Sequence, residues 1–278
     1  MNIFERTILI WVGSLAAGFL GALTGLGGGI VITPLLTVLF GVDIRYAIGA
    51  SLVSVIATSS GAAAAYVKEG FTNIRIGMFL EIATTVGAVV GASVASHLPA
   101  STIGVIFGVV LLFSAYASTR PAPKDSSSDA LDRLAEGLKL SSTFPTTQGI
   151  KSYHVRGVPT GFSLMFLAGG LSGLLGIGSG ALKVIAMDQA MRIPFKVSTT
   201  TSNFMIGVTA AASAGVYLRR GYIDPGLTMP VMLGVALGAL IGARILGRIR
   251  TASLRVVFGI VVAVLAFEMI YHGVTGKL

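Results

Sequence analysis

Two glycine loops hold most of this chain's chemical potential. Gly25-Leu26-Gly27-Gly28-Gly29 and Gly176-Ile177-Gly178-Ser179-Gly180 each precede a short apolar segment. A helix starting there has amide N–H groups without intrahelical partners and a dipole that places positive potential at its start, an arrangement suited to an anion. Gly27, Gly28, Gly29, Gly178, Ser179 and Gly180 are therefore candidate binding positions. The competing reading is close helix packing, the role we assign to Gly21, Gly25, Gly234, Gly238 and Gly242 at four-residue spacing. Further donors stand nearby: Ser51 and Ser54 in the first half, and Thr199, Thr200, Thr201, Ser202 and Asn203 in the second. Ser51, Ser202 and Asn203 are the candidates to complete an anion's shell, against helix-to-helix hydrogen bonding as the alternative. Lys183 follows the second loop by three residues. A lysine near the bilayer core is costly unless paired or hydrated, so it either supplies the charge that attracts substrate, pairs with Asp188, or reaches for the interface. Glu81 sits in an apolar stretch and is the proton-coupling candidate, because a carboxyl removed from water can load and release a proton. Pairing with a nearby base is its competing use, and Glu268 is a weaker candidate.

Other chemistry finds little support. With no cysteine, disulfides, thiolate metal sites and cysteine nucleophiles are excluded. The second loop lacks the spacing of a nucleophile elbow, no lysine follows either loop as in a phosphate-binding loop, and His-Glu-x-x-His is missing. His97, His154 and His272 are scattered near polar ends. We therefore assign no catalytic residue, no metal and no cofactor, and do not read the chain as an enzyme.

The elements that must position these residues are written in the composition. Of the residues, 54% are apolar and 11% charged, with a mean hydropathy of +0.87, beyond what a soluble core needs. Crossing ~30 Å of hydrocarbon takes roughly 20 apolar residues, and stretches of about that length recur along the chain. The net charge of +9 comes from basic residues set singly or in pairs beside apolar stretches, which suits anionic headgroups and argues against nucleic acid. The apolar start, through Leu15-Ala16-Ala17-Gly18 to Leu26, reads as a retained first helix.

The chain is also one unit written twice. A shift of 151 residues lays Gly25 on Gly176, Ser51 on Ser202, Tyr66 on Tyr217, Gly87 on Gly238, Gly91 on Gly242 and Phe107 on Phe258 without a gap. Each copy reads as a long helix, a glycine break, a short helix and three further spans. In the first copy these lie at about 3–24, 30–40, 45–67, 74–97 and 101–118, and in the second at about 159–175, 181–191, 195–218, 225–246 and 252–272. The short helices reach only ~17 Å and are expected to end part way through the bilayer. Residues 120–158 are polar and form a linker, in which Leu131, Leu134 and Leu138 suit a short amphipathic helix on the headgroups or a solvated one. His97 stands alone in one loop where Arg244, Arg248, Arg250 and Arg255 gather in its equivalent, so the equivalent loops are expected on opposite sides, with linker and arginines in the cytoplasm. Arg219 and Arg220 then sit outside, against the same bias. The expected fold is all-α, a multi-pass protein of the cell inner membrane with about 8–10 membrane helices, made of a first repeat at 1–119, the linker, and an inverted second repeat at 159–278.

Gly21-x3-Gly25-Leu26-Gly27-Gly28-Gly29 with Pro34-Leu35, echoed by Gly173 to Gly180 with Lys183, resembles the TauE/SafE family of sulfite and organosulfonate exporters. The likeness runs from about 13 to 266 outside the linker. It departs from the pattern at Ser179, which replaces the middle glycine, and at Ile185, which stands where the matching proline is expected. The resemblance implies a secondary transporter that exports a small sulfur oxyanion, sulfonate or carboxylate without ATP hydrolysis, with no cofactor and with the lipid bilayer as its setting. Alternating access around a midplane site, driven by a proton gradient, is the expected mechanism, and a homodimer the candidate assembly. A membrane scaffold or assembly subunit without transport, and an anion channel, are the rival readings.

Overall fold

In hydrocarbon no water satisfies the peptide groups, so apolar stretches of this length fold as helices with every backbone bond internal. The computed structural model describes residues 3–24, 28–68, 71–119, 132–146, 149–246 and 251–276. Its elements in the first half are α1 (Ile3–Thr24), α2 (Gly29–Pro34, continued by a π turn, Leu35–Leu39), α3 (Ile44–Lys68), α4 (Ile74–Ala95) and α5 (Ala100–Thr119). Between the halves lie α6 (Arg133–Gly137) and the strands β1 (Ser142–Thr146) and β2 (Gly149–Tyr153). The second half holds α7 (Val158–Leu175), α8 (Gly180–Ile185, continued by a π turn, Ala186–Ala190), α9 (Phe195–Arg219), α10 (Pro225–Leu246) and α11 (Thr251–Val274). Among the described residues, segments of α1, α4, α7 and α10 are each long and apolar enough to cross a membrane. The fold is all-α in its membrane part, as composition implies.

The short helices differ from the expectation in one respect. Neither is a plain α-helix, because each loosens into a π turn at the same place in its copy, 35–39 and 186–190, a shift of 151. Both π turns end alike, with Val42 N–H donating to Leu36 C=O (3.1 Å) and Ile193 N–H to Met187 C=O (3.0 Å). Gly41 and Arg192, again 151 apart, take left-handed backbone at φ 62° and 56°. Pro34 interrupts the first short helix but Ile185 does not interrupt the second. The π turn is therefore a property of the repeat and not of the proline.

Glycine determines how the helices meet. A Cβ on Gly238 would strike the Leu15 carbonyl and one on Gly18 the Val235 backbone, so α1 and α10 lie backbone to backbone. Gly87 meets the Phe166 carbonyl and Gly169 the Thr84 backbone in α4 and α7, which is the same pair of contacts after the 151-residue shift. The central helices α3 and α9 cross with opposite direction: Gly207 abuts Ser59, while Gly49, near the start of α3, abuts Tyr222, just past the end of α9. Helices α5 and α11 are antiparallel too, since Gly108 faces Ala266 and Ile270 while Gly273 faces Ser101 and Val105.

The outward face of α4 is apolar, and glycine and polar residues share the interior with Ile76 and Leu80. On α4, Met78, Ile82, Val86 and Val90 face outward, whereas Gly77, Glu81, Thr84 and Gly91 are buried. Lipid is a good solvent for the first set, so small and polar residues are left to the interior.

Residues 132–155 are more than a solvated connector. Asp132 caps α6, its carboxylate accepting from Leu134 N–H at 3.0 Å, and β1 pairs antiparallel with β2, Ser142 opposite Tyr153. Ala135, Leu140, Tyr153 and Val155 are buried against Ile76 and Leu80 of α4 and a run of buried methionines, Met165, Met187, Met191 and Met205. Asn73, before α4, fastens the segment by donating to the Leu140 carbonyl (3.1 Å) and the Tyr153 hydroxyl (2.7 Å). Leu134 and Leu138 of the expected amphipathic helix are exposed, and Leu131 lies outside the described residues.

Candidate functional site

The two breaks come together at the centre of the molecule. Ser51 of α3 donates to the carbonyls of Gly29 (3.1 Å) and Gly176 (2.8 Å), one from each break. Ser202 of α9 makes the matching bond to Gly180 C=O at 3.1 Å. The hydroxyl protons of both serines thus hold the breaks in shape in this conformation, and Asn203, half-buried beside Ser202, has no side-chain hydrogen bond among the described residues. Space is tight here: a Cβ on Gly29 would crowd Val55, Ser51 and the Gly176 carbonyl, and one on Gly180 would push the tip of Ile206 aside. Gly28 is the residue before α2 with ordinary helical backbone, its carbonyl accepting from Val31 and Ile32. Gly27 lies outside the described residues.

The second break is strained. Gly176 and Gly178 both have φ 69°, which glycine adopts freely. Ser179 has φ 47°, a conformation that costs a side-chain-bearing residue about 1–2 kcal/mol. Its hydroxyl is buried with no hydrogen-bond partner, and its carbonyl accepts the N–H of Lys183 at 3.0 Å. Strain and an unsatisfied polar group on one residue, at a break inside a bundle, are features that accumulate where ligands bind.

From that break α8 carries Lys183 into the interior. Among the described residues, Lys183 and Glu81 are the only charged side chains in the buried class. They are joined through a hydroxyl: Lys183 Nζ donates to Thr209 Oγ1 at 2.5 Å, and Thr209 Oγ1 donates to Glu81 Oε1 at 2.6 Å. Thr85 Oγ1 also donates to Oε1, at 3.1 Å, while Oε2 is buried with no partner. Three helices thus supply the centre: α8 the cation, α9 the hydroxyl and α4 the carboxylate. Each charge makes the other tolerable in a low-dielectric interior, where an isolated ion is expensive.

The arrangement joins two residues that the sequence singled out separately and adds one that it did not. Lys183 turns to Thr209, and Glu81 has its basic group within one intervening hydroxyl. Thr209 was invisible as a site residue because a threonine in a Ser/Thr-rich helix carries no signal of its own. Its only mark is Thr58 at the matching position of the first copy. There the equivalents of Lys183, Thr209 and Glu81 are Ile32, Thr58 and Met232, and Thr58 spends its hydroxyl on the carbonyls of Ser54 and Val55. The repeat is symmetric in its backbone and asymmetric in charge.

Comparison with known proteins places the chain among membrane transporters. The chain is 28% identical to a probable membrane transporter protein, YunE, of Bacillus subtilis, over 96% of this chain and 98% of that protein. It is 29% identical to a second from the same organism, YdhB, over 82% of this chain and 83% of its relative. A probable membrane transporter protein of Methanocaldococcus jannaschii is 25% identical over 95% of this chain and 94% of its own length. No solved structure matches the chain. The model of the sulfite exporter TauE/SafE family matches residues 10–269. With that match spanning nearly all of the helical bundle, the chain is a multi-pass membrane protein of the TauE/SafE family of transporters.

Proposed function

We propose that the protein is a secondary transporter of the inner membrane that exports a small anion, sulfite or an organosulfonate, by alternating access, with Glu81 as its proton-coupling group. The observation that carries this reading is Lys183, a lysine with 0% exposure held inside the bundle one helical turn beyond the strained second break. A membrane interior retains an ammonium at that depth for a task, and attracting an anion is the task its sign permits. Donors from the breaks and from Ser179 would complete the shell, with Ser51, Ser202 and Asn203 contributing as the breaks rearrange.

The packing supports a pseudo-two-fold relation between 1–119 and 159–278. Equivalent helices α3 and α9, and α5 and α11, are antiparallel, as they must be when the axis lies in the membrane plane. Two such copies rocking about the shared breaks would expose the site to each side in turn, with the folded linker on the cytoplasmic face.

The test is flux into proteoliposomes across sulfite, organosulfonate and carboxylate, with and without a pH gradient. The reading expects saturable flux of a sulfur oxyanion. A scaffold would give none, and a channel would give flux far faster than carrier turnover.

A further inference from the structure

We propose that the transported anion and the Glu81 carboxylate compete for the Lys183 ammonium, with Thr209 as the hydroxyl that passes the ammonium from one to the other, so that each anion binds together with a proton on Glu81. This rests on the anion-transport reading above and gives the coupling a sign: anion and proton travel in the same direction, as a pair that adds no charge to the site. Export then runs on the anion's own outward gradient and an inward proton gradient opposes it, contrary to the proton-driven export expected from the sequence.

The geometry dictates the exchange. Thr209 has a single proton and gives it to Glu81 Oε1 while accepting from Lys183 Nζ. This donation is strongest while Glu81 is ionised, and a proton on the other carboxyl oxygen leaves Oε1 a weaker, neutral acceptor. Glu81 Oε2, buried and without a partner, is the oxygen left to receive a proton from water on the open side of the carrier. Once it is protonated, the carboxyl no longer compensates Lys183. The Thr209 proton then has a second acceptor within reach, the Met205 carbonyl at 3.0 Å. The ammonium is left as a buried cation without a counter-ion, a state that an entering anion relieves. On release the order reverses: the anion leaves, Glu81 gives its proton to water, and the carboxylate again takes Thr209.

Among the described residues no other fully buried charged group competes for the role. Helix α7, which packs on α4 at Gly169 and Gly173, contains no Asp, Glu, Lys, Arg or His. The charges of α9 are Lys196 and Arg219 at its two ends, with Lys196 over the Phe71 ring at 3.7 Å. The folded linker meets α4 through Asn73 and through Arg75, which is exposed and donates to the Lys139 carbonyl. On α8 and its π turn the charges are Lys183 and Asp188, the latter half-buried beyond the helix. At the equivalent positions stand Ile32 of the first copy and Met232 of the second, so the described residues contain one such centre and not two.

The test measures protons taken up when anion binds. Purified protein in weakly buffered detergent solution receives sodium methanesulfonate, which does not titrate near neutrality, and in parallel sodium sulfite, with a pH indicator dye as the readout and calorimetry for affinity. Wild type should take up about one proton per anion bound, and its affinity should fall as pH rises, by at most about tenfold per pH unit for one coupled proton. Glu81→Gln, which keeps the shape and mimics the protonated acid, should bind anion with no proton uptake and no pH slope. Thr209→Val should lose the slope and Thr209→Ser restore it, a pattern that a merely structural threonine would not produce. Binding by wild type without proton uptake, or an unchanged slope in Glu81→Gln, overturns the coupling alone. If neither anion binds to folded wild type, the anion-transport reading fails and the coupling falls with it.

Discussion

At the scale of single residues, the account depends on Lys183 being held buried by Thr209 and Glu81. Replacing Lys183 with Met should weaken anion affinity about a hundredfold, the roughly 3 kcal/mol expected for loss of a desolvated charged partner, as read by calorimetry. The same change leaves the Glu81 carboxylate buried without its cation, which costs about 3–5 kcal/mol when one partner of a buried pair is removed. Adding Glu81→Gln should therefore recover thermal stability without recovering binding, a separation that differential scanning fluorimetry and calorimetry can show on the same samples. Ser179→Gly should move the two properties apart in another way. It relieves a left-handed φ worth about 1 kcal/mol and removes an unpartnered buried hydroxyl, so the melting temperature should rise slightly while anion affinity falls several-fold. Lys183, Glu81 and Ser179 were all legible in the sequence, because a charge in an apolar stretch and a serine in a glycine loop break a local pattern. The link through Thr209 was not, since it joins residues on three helices and no spacing along the chain encodes it.

At the scale of elements, helix boundaries were readable almost to the residue: 3–24 and 225–246 are found as expected. Apolar composition changes abruptly at each end, and Asn73, whose carboxamide accepts from Ile76 N–H at 3.0 Å, marks the start of α4. The π turns were hidden, as they depend on which carbonyl an amide chooses and not on which residues are apolar. The hairpin β1–β2 was hidden too, its alternation too short to stand out from a polar linker. Its attachment depends on Asp132, whose carboxyl is held below the ordinary carboxylate range first by the Val158 N–H, which with the N–H groups of Leu134, Ala135 and Gly157 outweighs the opposing effect of burial. A depressed carboxyl contributes stability that is present above its unfolded value and lost as pH falls through its folded one. The protection of the Val158 amide, its exchange relative to the intrinsic rate at each pH, should accordingly fall only in strong acid, and Asp132→Asn should remove that fall. For the helices, Gly91→Leu should dismantle the α4–α7 contact, where even a Cβ meets the Gly170 carbonyl, at a cost of at least about 1–3 kcal/mol; Gly215→Ala, in open space, should be silent in a thermal unfolding series.

At the scale of the whole molecule, the duplication visible as a 151-residue shift recurs in three dimensions as paired contacts, paired serine bonds and paired π turns. What the shift does not preserve is charge, and among the described residues the Lys183–Thr209–Glu81 centre is where the two nearly equal halves differ most. The charge pattern of the loops pointed to opposed halves, and the antiparallel crossing of equivalent helices supports that arrangement; the identity of the anion is written in neither. The most direct measurement is counterflow of sulfite and organosulfonates in proteoliposomes holding equal amounts of folded wild type and Lys183→Met. The account predicts saturable exchange by wild type and exchange reduced about a hundredfold or more by the substitution. Equal exchange by the two proteins would contradict it.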